Sequence, residues 1–329
     1  ALINGTAIST ALGILNYFHA NRLVHWAEQA AALSAEALRG FRDAFLPQVN
    51  QFRSTQQAAS AQNISRLLED STLIRGGEHI DLSPLEGPPQ DPYCLRCAPV
   101  VHGAVMQTLV HVDWVLSEEA DAVTDNPLVF GDELPRQTKV ISGGNFHGEP
   151  IAFVMDFLAI AAAELANISE RRIFTLTDPK LNRGLPPFLI HEPADSIGLN
   201  SGLMIAQYTA ASLVSENKAL AHPASVDSIP SSANREDHVS MSTIAARKTA
   251  AILANVQNVI ALELLCASQA LSLRLEQMPE AQAGQGTRQL LERIRALEIA
   301  PGQPLAVIRH DVPLPPYVAA ITQLMNAEG

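Results

Sequence analysis

Four polar strings hold nearly all the chemistry open to this chain of 329 residues: Asn4-Gly5-Thr6, Gln90-Asp91-Pro92-Tyr93-Cys94-Leu95-Arg96, Ser142 to Pro150, and Asn234-Arg235-Glu236-Asp237-His238. They set a phenol, a guanidinium, carboxamides, an aromatic ring and a carboxylate beside Gly and Pro residues that interrupt helices. Together these groups could grip and deprotonate a small zwitterion that carries a ring.

Each string also has a plainer explanation. Pro92 fixes a turn, after which Tyr93 and Arg96 stand three apart, on one face if a helix starts there. A planar guanidinium suits a substrate carboxylate, and a phenol beside a cation can act as a base. The same pair also reads as a structural salt bridge beside a half-buried tyrosine. Asn4 offers a donor and an acceptor, or belongs to a Gly turn and a helix cap. Ser142-Gly143-Gly144 lets backbone approach a ligand, with Phe146 as an apolar wall; no Lys-Ser/Thr follows, which discounts a phosphate loop. His147 and Glu149 equally make a surface pair. Glu236 follows the N-cap types Ser231, Ser232 and Asn234, so the first turn of a helix is its competing explanation. His147-Gly148-Glu149 and Cys94-Leu95-Arg96-Cys97 share pieces with zinc deaminases, but in reversed order, and no metal is expected.

The elements that must position these strings are helical. Val101, Ala104, Val105, Thr108, Leu109, Val112, Val115 and Leu116 recur at steps of three and four. Segments 10–38, 150–177, 200–220 and 242–274 follow the same pattern, which predicts a bundle of long helices. Leu128-Val129-Phe130 is expected to pair briefly with Lys139-Val140-Ile141. Beyond Leu275 the sequence predicts a linker over 278–286, a helix from Thr287 to Ile299, a Pro-rich tail and a last helix. The expected division is a core over 1–275, with 276–329 packing on it.

A net charge of -12 argues against a nucleic-acid or anionic-membrane partner. Three cysteines give no disulfide framework, and a cytoplasmic location is expected. Ile151 to Ile168 and Ala251 to Leu273 are apolar, yet carry Asp156, Glu164, Asn255, Gln257, Asn258 and Glu263, which favours buried bundle helices over membrane spans. The chain opens at Ala1 within an apolar phrase, and is expected to be a piece of a longer protein.

In these strings the chain resembles the aromatic amino acid ammonia-lyase family, above all its histidine-specific branch. The likeness runs from Ala1 to about Leu275. It also takes in Asp125-Asn126-Pro127-Leu128, Ser169-Glu170-Arg171-Arg172 and the run from Asn217 to Asp227. It implies an all-α, fumarase/aspartase-like bundle assembled as a homotetramer. It implies an electrophile, 4-methylidene-imidazol-5-one (MIO), cyclised from an Ala-Ser-Gly that this sequence does not contain. That tripeptide, with a basic tyrosine and an imidazole-reading histidine, is expected in a missing N-terminal region, so the chain alone should be inactive. On the chain's own residues, the resemblance implies that Asn4 helps place the amino group near MIO, Tyr93 acts in proton transfer or MIO support, and Arg96 grips the carboxylate. Gln90 and Phe146 shape the pocket, and Glu236 selects histidine, giving urocanate. Ala7, Arg235 and Cys94 depart from the family pattern, and Arg235 sets a cation beside Glu236. A phenylalanine or tyrosine lyase, an aminomutase and a non-catalytic helical assembly subunit are the alternatives.

Overall fold

The computed structural model describes residues 4–76, 90–131, 135, 139–191 and 198–327. Among them the α-helices are α1 (Ala7–Ala37), α2 (Pro47–Asn50), α3 (Thr55–Leu67), α4 (Tyr93–Arg96), α5 (Ala98–Ala120), α6 (Glu149–Thr177), α7 (Met204–Leu220), α8 (Ser242–Gln277), α9 (Gln285–Arg295) and α10 (Pro315–Ala327). The all-α expectation holds. The only sheets among the described residues are two hairpins, β1 (Leu128–Val129) with β2 (Val140–Ile141), and β3 (Glu298–Ala300) with β4 (Gln303–Pro304). The first has the expected pairing, Leu128 opposite Ile141, extended by a Phe130 N–H to Lys139 C=O bond of 2.8 Å.

The second hairpin corrects the expected helix from Thr287 to Ile299. Helix α9 stops at Arg295, because Pro301 and Gly302, at φ +73°, make a turn that folds Gln303 back on Ala300. Helix α3 lacks a strong apolar stripe. Its start is marked by Ser54, whose Oγ accepts from Gln57 N–H at 3.1 Å.

The chain forms two compact units. Unit 1 holds Ala1–Asn21, Gln107–Ala163 and Asn217–Ala254; unit 2 holds Arg22–Met106, Glu164–Glu216 and Asn255–Gly329. In unit 1, Gly13 lets α1 lie close to α5 and α6: a Cβ there would come within 2.8 Å of Leu116 Cδ2 and 3.5 Å of Met155 Cε. Asn16 of α1 donates to Ala246 C=O of α8 at 2.8 Å, and Thr249 Oγ1 donates to Met155 C=O at 2.9 Å.

The core of unit 2 is built from small and branched side chains. Ala27, Ala30, Leu33, Val259, Leu264, Leu265, Ala267 and Leu271 are all fully buried. Within it lies an ion pair with no solvent contact. Arg172 donates from Nε and Nη2 to Glu263, at 2.5 and 2.8 Å, and Ser34 and Ser169 donate to the same carboxylate at 2.7 and 2.5 Å. The segment after α8 packs in the same unit: Gln269 exchanges hydrogen bonds with the Ile308 backbone, and Trp26 Nε1 donates to Met325 C=O. Helices α6 and α8 are long and apolar enough to cross a membrane, yet 67% of each apolar window is buried inside the protein.

Candidate active site

Tyr93 and Arg96 stand on one face as their spacing predicts. Pro92, in extended backbone, starts α4, and its carbonyl accepts from Leu95 and Arg96 N–H. Cys94 and Leu95 turn into the core, leaving Tyr93 69% exposed. The Arg96 guanidinium lies over the Tyr93 ring at 4.4 Å, a cation on the aromatic face. Its Nε donates to Asp91 C=O at 2.8 Å, and among the described residues its two Nη groups take no partner. Among the described residues, Arg96 therefore makes no salt bridge.

Asp91 is the anchor of this string, a role that inspection of the sequence does not reveal. Its buried carboxylate accepts from Arg183 Nη2 at 2.7 Å and from Phe41 N–H at 2.6 Å, while its carbonyl holds Arg96. Beneath α4, Arg172 donates from Nη1 to Cys94 C=O at 3.3 Å, and Cys94 Sγ meets Thr175 Oγ1 at 3.6 Å. The signal was present in the charged Arg172 and Glu263 within otherwise apolar helices, but their pairing across 91 positions leaves no local pattern. Gln90 is exposed beside this anchor.

Unit 1 joins the segments that carry Asn4, Phe146 and Glu236. Gly5, at φ +76°, lies so close to Thr124 C=O that a Cβ would sit 2.0 Å from its oxygen; Asn4 next to it is exposed. Asn126, in a cis peptide with Pro127, accepts at Oδ1 from Ser142 Oγ and Gly143 N–H at 3.1 and 2.8 Å. Asn145 donates to Val123 C=O at 3.3 Å. No heavy atom stands within 4 Å of where a Cβ would project from Gly143 or Gly144, so their backbone borders open space. Phe146 is 42% exposed.

The Phe146 segment meets the Glu236 segment through two histidines. His147 Nε2 lies 3.2 Å from His238 Nδ1, the rings stack at 5.2 Å between centroids, and Glu149 lies 3.9 Å from His147 Nδ1.

Glu236 does not occupy the first turn of a helix, and its plainer explanation is corrected here. Ser232, Ala233 and Asn234 all take positive φ, folding the chain so that Ser231 and Glu236 pair through their backbones; α8 starts only at Ser242. The exposed Glu236 carboxylate accepts from Ser231 Oγ at 2.6 Å, not from Arg235. Hydrogen bonds from Ser231 and Ser232 hold its carboxyl below the ordinary range. The loop is tied to its unit by Val239 N–H to Ser228 Oγ, and at its base by Lys248, which pairs with Asp156 at 2.5 Å. Burial alone would raise Asp156; Lys248 and the N–H groups of Ser225 and Ala224 bring it below its usual value.

Gln90, Tyr93 and Arg96 thus belong to unit 2, and Asn4, Phe146 and Glu236 to unit 1. Each group by itself has exposed side chains on short segments tied by hydrogen bonds.

Comparison with known proteins gives these arrangements a context. The family described as aromatic amino acid lyase matches residues 1–296. Histidine ammonia-lyase of Natranaerobius thermophilus is 50% identical over 296 residues, covering 90% of this chain and 55% of that protein. The enzyme of that name from Bacillus subtilis is 52% identical over 297 residues, covering 90% and 54%. The chain spans about half the length of the curated relatives it matches. Among solved structures, histidine ammonia-lyase from Trypanosoma cruzi superposes with a TM-score of 0.82 at 38% identity, covering 99% of this chain and 57% of that one. Tyrosine aminomutase from Streptomyces globisporus gives 0.86 at 32%, covering 99% and 61%. The fold is the helical fumarase/aspartase-like type of these proteins.

Proposed function

The chain belongs to the aromatic amino acid lyase family, and from that premise we propose that it forms part of a histidine ammonia-lyase, which eliminates ammonia from L-histidine to give urocanate. The observation that carries the choice of histidine is Glu236, a carboxylate held ionised by two serines on a loop joined to the Phe146 segment. A carboxylate pairs with imidazole N–H, but finds no partner on a phenyl ring.

In the reaction the Cα–N bond breaks and a β-proton leaves, forming a double bond. MIO, when present, supplies the electrophile that turns the amine into a leaving group. The residues of this chain fit such a group. Asn4, Gln90 and Tyr93 are exposed, and among the described residues none has a side-chain hydrogen bond. Arg96 binds the substrate carboxylate through its two Nη groups, which take no partner among the described residues, with Nε fixed by Asp91. Asn4 orients the amino group. Tyr93, next to the Arg96 cation, moves the proton. Phe146 lines the ring pocket, Gln90 shapes its edge, and Glu236 receives the imidazole.

These 329 residues contain no Ala-Ser-Gly, so on this reading the chain is inactive until a segment that bears one is supplied. The working enzyme is a cytoplasmic homotetramer. Exposed Leu15 and Phe18 on α1, Val110 and Trp114 on α5, and Phe153 and Phe157 on α6 favour burial against other copies.

The test joins the chain to a segment bearing Ala-Ser-Gly, then compares urocanate formation from histidine with cinnamate formation from phenylalanine. Urocanate supports the reading. Cinnamate alone would make it a phenylalanine-type enzyme, a β-amino acid product would make it an aminomutase, and no turnover would leave an assembly subunit.

A further inference from the structure

We propose that His147, Glu149 and His238 form a binding site for one divalent first-row transition ion of the zinc class. One donor atom from each of the three lies within 4.8 Å of the others, although His238 is 91 positions from His147. Two nitrogens bound to one tetrahedral ion at about 2.05 Å stand about 3.3 Å apart. His147 Nε2 and His238 Nδ1 are already 3.2 Å apart. The fold therefore holds two imidazoles at ligand spacing without an ion to draw them together.

Glu149 supplies the third group. Its Oε2 is out of contact with solvent and makes no hydrogen bond, a costly state for a carboxylate oxygen that a cation beside it would relieve. It sits at the first residue of α6, with a carboxylate oxygen within 4.8 Å of a donor nitrogen of each imidazole. Gly148 lies between His147 and Glu149; a Cβ at this position would lie 2.6 Å from Ser242 Oγ and 3.1 Å from Ser240 Oγ, so glycine keeps this segment close to those two serines. Two imidazoles and a carboxylate select zinc-like ions over calcium or magnesium, which prefer all-oxygen shells. Three protein ligands leave one position for water. The Cys94 thiol, weighed with His147 in the sequence, instead faces Thr175.

The ion would clamp the Phe146 segment to the Glu236 segment, reinforcing the contact between His147 and His238. This inference does not rest on the lyase reading.

The probe is zinc chloride alone, titrated calorimetrically into the 329-residue chain, with cobalt substitution read by visible absorption. The expected result is one ion per chain and the absorption of a four-coordinate site. Losing an outer partner of a metal ligand costs about 10–100-fold in affinity, so His147→Asn and His238→Asn should each weaken binding by at least about 100-fold. Cys97→Ser should leave it unchanged. Circular dichroism checks that the variants keep their helices. If the wild-type chain takes up no zinc, or the doubly substituted His147→Asn/His238→Asn chain binds as well as wild type, the two rings share only a hydrogen bond and the proposal falls. Neither result bears on urocanate formation, which is assayed separately.

Discussion

Replacing Glu263 by Gln should be among the most damaging single changes in this protein. The carboxylate accepts four hydrogen bonds, two from Arg172 and one each from Ser34 and Ser169, and neither charged side chain has any solvent exposure. Glutamine keeps the shape but removes the charge, and turns an N–H₂ toward donors that need an acceptor. Breaking a buried pair from one side costs about 3–5 kcal/mol, because the remaining charge is left unmatched. Domains are stable by only about 5–15 kcal/mol. The damage should reach the candidate site, since Arg172 also donates to Cys94 C=O beneath Tyr93 and Arg96. Urea unfolding followed by far-ultraviolet circular dichroism gives the loss. The companion variant Arg172→Met/Glu263→Leu removes both charges and should recover at least about half of it, since apolar replacement of a whole buried pair is often neutral. A loss below about 1 kcal/mol for Glu263→Gln, or a double variant less stable than the single one, would refute this account of the core.

Three further outcomes are expected. In the assembled enzyme, Arg96→Lys replaces a planar fork by a point charge and should lower kcat/KM for histidine by about 100-fold, mainly through KM; unchanged kinetics would remove Arg96 from carboxylate binding. Burial pushes the Glu28 carboxyl up from 4.5 to about 7, against the Asn63 amide that pulls it down. Its folded pKa lies above the unfolded one, so the native state binds the extra proton and stability falls as pH rises from about 4.5 through 7. Glu28→Gln should therefore stabilise the protein at pH 8 by about 3 kcal/mol and flatten that dependence, as denaturant titrations at several pH values would show. Gly5→Ala forces a side chain into positive φ and against Thr124 C=O, and a fall in the thermal midpoint of less than about 2 °C would contradict the tight turn drawn there.

The long helices were legible because burial repeats along them. The Val101 to Leu116 stripe falls within α5, and β1 pairs with β2 where the two short apolar runs were expected to meet. Tyr93 and Arg96 could be placed together because Pro92 and a spacing of three are local signals. What escaped was set by partners distant in sequence or by backbone geometry. Arg172 finds Glu263, Arg183 finds Asp91 and His147 finds His238 only after folding, and no periodicity records such meetings. The Glu236 segment misled for a different reason. Ser231, Ser232 and Asn234 are good helix starters, but three successive positive φ angles make a tight loop of them.

Those angles have a practical consequence for anyone wishing to redirect this scaffold toward other amino acids. Side chains without β-branching tolerate the left-handed region at modest cost, and glycine at almost none, whereas Val, Ile or Thr at 232–234 would push the backbone out of it. Randomising the whole stretch would mostly return collapsed loops in which the acid no longer faces outward. Varying position 236 alone, on an untouched hairpin-like frame, keeps the presentation fixed and lets the new side chain's chemistry be judged on its own.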